Sequence, residues 1–376
     1  MANRFVSSSG PKGNGSGDSE ENAWSLTYAI TNAYARDYVW IKNDGVYAGT
    51  FTVGCSGSQS ENTHIYFIGY NNFANCDLVN HISDMDLGQP FWGGPMNPNS
   101  LNCWVDINGM GAAGNVVYQY QKNNIHWRNI HFHNSNKSAY NCAYYLKYSN
   151  NSTFTKCKFT DSYINLWVDT NSQNNNFKYC YFENYTAANM DISSGSMFIL
   201  ISQSVFAGGL LRMYRSICCH NLFIGGSYGI GAYSFQNIVF NNVMYNQTSH
   251  CLGYGSNTSP GSLTEYNNIF IPAGRTIPAI YKNGSGTLAF SGYGCAYCIS
   301  EDCILDDIYA GEKGFNVNPQ FVNASENNFR ILNPSLLRGG MPDCTGTSSQ
   351  IGAILQQYQF PQRARAANRA KLSIFK

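Results

Sequence analysis

Aromatic, carboxylate and guanidinium side chains recur at alternating positions between residues 167 and 233. In the stretches INLWVDT, NMDIS, LLRMYR, GIGAYS and CLGYG the apolar pairs are Leu166 and Val168, Met190 and Ile192, Leu211 and Met213, Ile230 and Ala232, then Leu252 and Tyr254. Side chains alternate across a strand, so if these pairs point inward the residues between them point outward. That defines one outward column of Trp167, Asp191, Arg212, Gly231 and Gly253, and a second of Asp169, Ser193, Tyr214, Tyr233 and Gly255. One coil upstream the same columns take in Tyr145 and Lys147. Trp167, Tyr214 and Tyr233 offer flat faces to sugar rings, Asp169 and Asp191 can hold hydroxyls or act as general acids, and Arg212 suits an acidic sugar. Only Asp169 and Asp191 lie close together, with Asp161 and Glu183 at turns, so no catalytic residue is assigned. The surface is expected to contact a glycan or a protein partner. In the competing reading Asp191 pairs with Arg212 across one rung and the aromatics cover the sheet.

Three further groups carry reactive side chains. HWRNIHFH sets His131 and His133 on one side of a strand with His126 nearby, but no Cys or carboxylate partner is evident, so no metal and no cofactor are expected. Cys295, Cys298 and Cys303 form a C-x2-C-x4-C cluster with Cys344 as a fourth candidate, yet the second half of a zinc pattern is missing. The segment Pro361–Lys376 is basic without any acidic residue. Its Arg363, Arg365, Arg369 and Lys371, with Phe375 as an apolar anchor, read as a partner-docking tail.

The elements that must position these groups form a repeat. WRNIHF, FTKCKF, FKYCYF, LISQSVF, CCHNLF, VFNNVM and EYNNIF share an apolar strand with a small polar residue at its bend: Asn129, Cys157, Cys180, Ser204, Asn221, Asn242 and Asn268. These residues are 28, 23, 24, 17, 21 and 26 positions apart, a repeat with a constant core and variable loops. No helical segment separates the strands, which excludes a doubly wound α/β sheet. A unit this short cannot bury its own apolar face, whereas stacking units at the interstrand spacing of about 4.8 Å buries a continuous core. The bend residues then stack into an amide ladder, with Cys157, Cys180 and Ser204 as small substitutes.

The stretch ENAWSLTYAITNAY is amphipathic, with Trp24, Leu26, Tyr28, Ile30 and Ala33 available to an apolar face, and suits a capping helix. It leads into DYVWIKNDGVYAGTF, where Val39, Ile41, Phe51 and Val53 alternate as in first strands. With HIYFIGYN, DINGMG, NVVYQYQKNNIHWRNIHFHNS and the late run GFNVNPQFVNASENNFRILNPSLLRGG, the chain resembles the pectate-lyase-like right-handed parallel β-helix proteins. The resemblance implies an all-β, right-handed parallel β-helix (β-solenoid) with an N-terminal capping helix and extended terminal arms. The expected organisation is a flexible arm over 1–20, the capping helix over 21–37, the β-helix over 38–355 with a long loop excursion over 77–115, and the basic tail over 356–376.

Charged residues are only 12% of the chain and aromatics 15%, which argues against disorder and coiled coils. The formal net charge of +1 disfavours nucleic acid, and no apolar run spans a membrane. Without an evident signal peptide, the 13 cysteines read mainly as buried thiols. A β-helix with cytoplasmic cysteine usage and polar or basic arms also resembles tailed-bacteriophage virion proteins. That resemblance implies a structural or adhesive virion component: a head decoration, fibre or tail-spike protein, assembled in the host cytoplasm. Its partners would be other virion proteins through the arms and a host-surface glycan, with a homotrimer compatible. The alternative is a polysaccharide lyase or glycan depolymerase on the same scaffold.

Overall fold

The computed structural model of the 376-residue chain describes residues 2–86 and 104–282 apart from 59, 60, 62, 78–81, 139, 235, 256–261 and 275. It also describes the strand backbone of 287–292 and 295–296, and residues 318–326, 328–333 and 336. The fold is a nearly all-β parallel β-helix, with one α-helix among the described residues. Two compact units make it up, one from Met1–Gln89 with Asn99–Leu200 and one from Pro90–Pro98 with Ile201–Lys376.

In the first unit, one sheet stacks the parallel strands Asn3–Val6, Tyr38–Lys42, Ile65–Tyr70, Ile125–Arg128, Thr153–Thr155 and Asn176–Lys178 in that order. The facing set holds two parallel ladders. Val105–Asn108 pairs with Ile130–His133, and Val117–Tyr120 pairs with Cys142–Lys147. The 12-residue strand Lys158–Asp169 continues both, pairing with Ile130–His133 by its first half and with Cys142–Lys147 by its second. Tyr181–Ile192 repeats that long strand one coil on, and a register shift between Ser162 and Ile164 lets its extra residue bulge. Identical positions stack inside the coil: Phe67 on Trp127 at 4.3 Å, Phe154 on Phe177 at 4.9 Å, and Phe159 on Phe182 at 5.0 Å between ring centroids. These rings are fully buried, so the core is a set of aromatic columns running across the coils.

The second unit repeats the scheme with shorter strands. Val205–Ala207, Leu222–Ile224, Val243–Tyr245 and Ile269–Ile271 form one parallel ladder. Leu211–Met213, Tyr228–Ala232, His250–Tyr254 and Ile280–Lys282 form another. All the inward pairs read from the sequence are buried, from Leu166 and Val168 to Leu252 and Tyr254. Toward the carboxyl end Phe321–Asn323 and Asn328–Ile331 pair antiparallel, and Phe321 and Phe329 pack against Tyr245.

The bend ladder forms as the repeat requires. Asn221 Oδ1 accepts from the Ser204 amide at 2.8 Å, Asn242 Oδ1 from the Asn221 amide at 2.9 Å, and Asn268 Oδ1 from the Asn242 amide at 3.0 Å. Side-chain amides also link Asn221 to Asn242 and Asn242 to Asn268, each at 3.1 Å. In the first unit Cys157 and Cys180 occupy the same place, their thiols donating to the carbonyls of Trp127 and Phe154. The residue before each ladder position turns the chain with positive φ: Lys156 and Tyr179 in the first unit, Gln203, His220, Asn241 and Asn267 in the second. Asn129 is a correction to the sequence reading. It has φ of 58° and belongs to this turning column, one residue out of phase, so Ile130 stands opposite Cys157.

Three expected boundaries also change. The amino-terminal arm is not free: Asn3–Val6 adds a strand to Tyr38–Lys42, with Phe5 and Val6 buried. Asp44 fastens the following turn, accepting from Ser7 Oγ at 2.6 Å and the Ser8 amide at 2.9 Å. The helix Leu26–Asn32, capped by Ser25, buries Leu26, Ala29 and Ile30 but leaves Tyr28 half exposed. The helical period places Ala29 rather than Tyr28 on that face. Finally, the excursion expected to run to 115 has ended by Val105, because Val105–Asn108 is a strand of the coil. The carboxyl-terminal tail lies outside the described residues, Arg363, Arg365, Arg369, Lys371 and Phe375 included, as do Cys298, Cys303, Cys344 and the side chain of Cys295.

Candidate functional site

The outward face of the Cys142–Lys147 ladder carries the aromatic and charged columns read from the sequence. Tyr145 stands opposite Trp167 and Lys147 opposite Asp169, and Trp167 stands opposite Asp191. Stacked coils repeat the outward position, so the rings align: Tyr118 on Tyr145 at 5.2 Å and Tyr145 on Trp167 at 4.8 Å between centroids. Tyr140 stacks on the same indole at 5.8 Å. All but Tyr140, which is exposed, are half buried, so the platform joins three consecutive coils and ends at the Asp191 carboxylate.

Asp169 organises the edge of this platform. Its Oδ2 accepts from the Tyr145 phenol at 2.6 Å, and its Oδ1 accepts from Ser193 Oγ at 2.6 Å, the Thr170 amide at 2.8 Å and Thr170 Oγ1 at 2.9 Å. Lys147 Nζ lies 3.8 Å from Oδ2. Burial pushes the Asp169 carboxyl up, but the hydrogen bonds from Ser193, Tyr145 and Thr170 outweigh it and hold it below the usual carboxylate range. A carboxylate so fully donated to is an anchor rather than a proton donor. Burial, and then the Asp169 acceptor, push the Tyr145 phenol upward, so it keeps its proton.

A second outward group sits on the neighbouring ladder, where the sequence reading saw histidines without a carboxylate. That reading is corrected by Asp106, which stands directly opposite His131. His133 follows on the same face two residues on, and the two imidazoles stack at 4.2 Å. His133 Nε2 contacts Asp106 Oδ1, and His131 Nδ1 lies 3.6 Å from the same oxygen. His126 does not join them: it lies on the other sheet, with Nε2 3.0 Å from Nδ1 of His64. One coil on, Lys158 stands opposite His131, 3.7 Å from Glu183 Oε1 and over the rings of Trp104 and Tyr181. Glu183 lies within the strand Tyr181–Ile192, whereas Asp161, with φ of 56°, turns the chain inside Lys158–Asp169 and accepts from Thr160 Oγ1 at 2.7 Å.

The remaining candidates belong to the second unit. Arg212 and Tyr214 are half buried, with Arg212 opposite Gly231. Tyr233 folds down on the strand: a Cβ at Gly231 would come within 2.5 Å of its ring, so a larger residue there would displace the ring. Here the aromatic column is instead Tyr228 stacked on His250 at 4.9 Å, with Tyr281 at 5.3 Å from that imidazole. Sequence reasoning missed Tyr118, Tyr140, Tyr228 and Asp106. The alternation in VVYQYQ signalled Tyr118, whereas Asp106 had no local signal.

All eight cysteines whose side chains are described are free thiols, seven of them buried. Burial pushes Cys55 and Cys180 up to about 12, which removes them as nucleophiles.

No protein-family model matches the chain, and no curated protein matches it. Among solved structures, the pectate lyase Pel9A aligns over 95% of this chain and 97% of its own, with 13% identity and a TM-score of 0.54. A rhamnogalacturonan lyase aligns over 97% and 98% with 9% identity and a TM-score of 0.48. The alginate lyase of Paenibacillus sp. str. FPU-7 aligns over 76% and 99% with 10% identity and a TM-score of 0.47. At such identities the likeness is one of fold, and the chain has the pectate-lyase-like parallel β-helix.

Proposed function

We propose that this chain acts on an acidic polysaccharide, binding it along the outward face of the first unit and cleaving it. The observation that carries this reading is the aromatic platform of Tyr118, Tyr145 and Trp167 beside Lys147 and Asp169. The stacked rings present a continuous aromatic edge along which a sugar's C–H surface can lie, while a lysine pairs with a uronate carboxylate. The Asp169 network holds Tyr145 in its stacked position, so the platform is organised before ligand arrives. Support also comes from the shared scaffold, because pectate lyase Pel9A is a polysaccharide lyase on this fold. A direct test incubates the full chain with pectate, alginate and rhamnogalacturonan and follows the ultraviolet absorbance of unsaturated uronate products, with affinity electrophoresis in the same polysaccharides. Product formation is expected on at least one. Retention without product would leave a binding protein, and neither retention nor product would remove the reading.

A second reading, a structural or adhesive component of a tailed-phage particle, rests on the acid-free basic segment Pro361–Lys376. Under it the tail docks on other virion proteins, and the protein is found stoichiometrically in purified particles.

A further inference from the structure

The second outward group has a feature that polysaccharide stacking does not use. Thr160 Oγ1 donates to Asp161 Oδ2 at 2.7 Å, which commits its only proton. The Thr160 oxygen therefore accepts from His131 Nε2, 2.9 Å away. In a neutral imidazole that leaves Nδ1 as a bare lone pair, and Nδ1 faces Asp106 Oδ1 at 3.6 Å. Nδ1 and the Asp106 oxygen thus face each other across a gap that a metal cation can bridge. His133 Nε2 contacts the same oxygen, and one donor atom from each of Asp106, His131 and His133 lies within 4.8 Å of the others.

We propose that Asp106, His131 and His133 form a binding site for a divalent first-row transition ion of the zinc class. Two imidazoles and one carboxylate are the borderline donors that such ions take, and three protein ligands leave a coordination position open to solvent or to a bound molecule. The Thr160 and Asp161 chain behind His131 fixes its tautomer and orientation, as outer partners of metal-bound histidines do. Lys158, opposite His131 on the next coil, is turned to Glu183 and lies over the rings of Trp104 and Tyr181, so its charge is partly neutralised. The solenoid builds the site. Asp106 and His131 are direct neighbours on adjacent coils, and His131 and His133 share one face of a strand. The ion would clamp Val105–Asn108 to Ile130–His133, the strand that follows it in the ladder.

The test uses the full chain stripped with chelator and titrated by calorimetry with Zn2+, with Co2+ as the spectroscopic probe. One equivalent of Zn2+ is expected to bind with micromolar or tighter affinity. Asp106→Asn should weaken it at least tenfold and His133→Gln at least a hundredfold, with circular dichroism unchanged, while His250→Gln should bind as the parent. Cobalt on the unmodified chain should give ligand-field bands of nitrogen and oxygen coordination without a thiolate charge-transfer band. That spectrum also decides the matter should a variant misfold. Absence of binding, a thiolate band, or undiminished affinity in folded variants would overturn the proposal.

Discussion

The phenol of Tyr145 donates to Asp169 Oδ2 at 2.6 Å from the coil before it, so one carboxylate ties the stacked ring to the next turn of the solenoid. Because Asp169 is held below the usual carboxylate range, its stabilisation is present above the unfolded value of about 4 and is lost as pH falls through the folded value. Asp169→Asn should cost about 2 kcal/mol at neutral pH, in line with hydrogen bonds to a charged group. Denaturant titrations at pH 7 and pH 3 should show the difference shrinking in acid. An equal difference at both would mean that the carboxylate charge is immaterial.

Trp167 lies at the meeting of Tyr140 and Tyr145 and gives up little core contact if removed. Trp167→Ala should weaken polysaccharide retention about tenfold, or about 1.4 kcal/mol, with a smaller effect on thermal unfolding. Affinity electrophoresis and a melting curve on the same preparation separate the two. Undiminished retention would take the platform out of the binding face.

Within the second unit, Asn242 is the middle of the amide ladder, bonded to Asn221 on one side and Asn268 on the other. Asn242→Ala strands the buried Asn221 donors that end on its Oδ1 and the Cys218 and Phe240 carbonyls that accept from its Nδ2, and each such loss costs about 1–3 kcal/mol. Chemical denaturation should show a loss of about 3 kcal/mol.

Deleting residues 2–9 should be severely destabilising, because it removes the strand that pairs with Tyr38–Lys42 and uncovers Trp40, which donates to Asn3 Oδ1 at 3.0 Å. Light scattering should report aggregation through the exposed sheet edge. A truncated chain as soluble and as stable as the parent would restore the flexible arm read from the sequence.

His126 and His64 should shape the acid limb of stability. Burial pushes His126 down to about 3 and lowers His64 as well. The unfolded chain then binds more protons between about pH 6.5 and about 3, so stability falls as pH drops through that window. His126→Asn should flatten this limb. An unchanged slope in denaturant titrations would show that protonation elsewhere dominates.

Local pattern was enough for much of this protein. Alternation placed Trp167, Asp169 and Asp191 outward and Leu166, Val168, Met190 and Ile192 inward, because the strand period does not depend on what the strand pairs with. The recurring polar bend gave away the ladder of Asn221, Asn242 and Asn268 for the same reason, since every coil repeats one turn conformation. Tertiary structure decided what depends on loops of irregular length. Asn129 slipped by one place because Ile130 breaks the polar signature of the bend. Asp106 reached His131 only because Val105–Asn108 pairs in parallel with Ile130–His133, a partner more than twenty residues away that no local pattern names. Asn3–Val6 became a strand because the sheet edge at Tyr38–Lys42 had unpaired backbone groups and an apolar face to cover, a demand that exists only once the coil has closed.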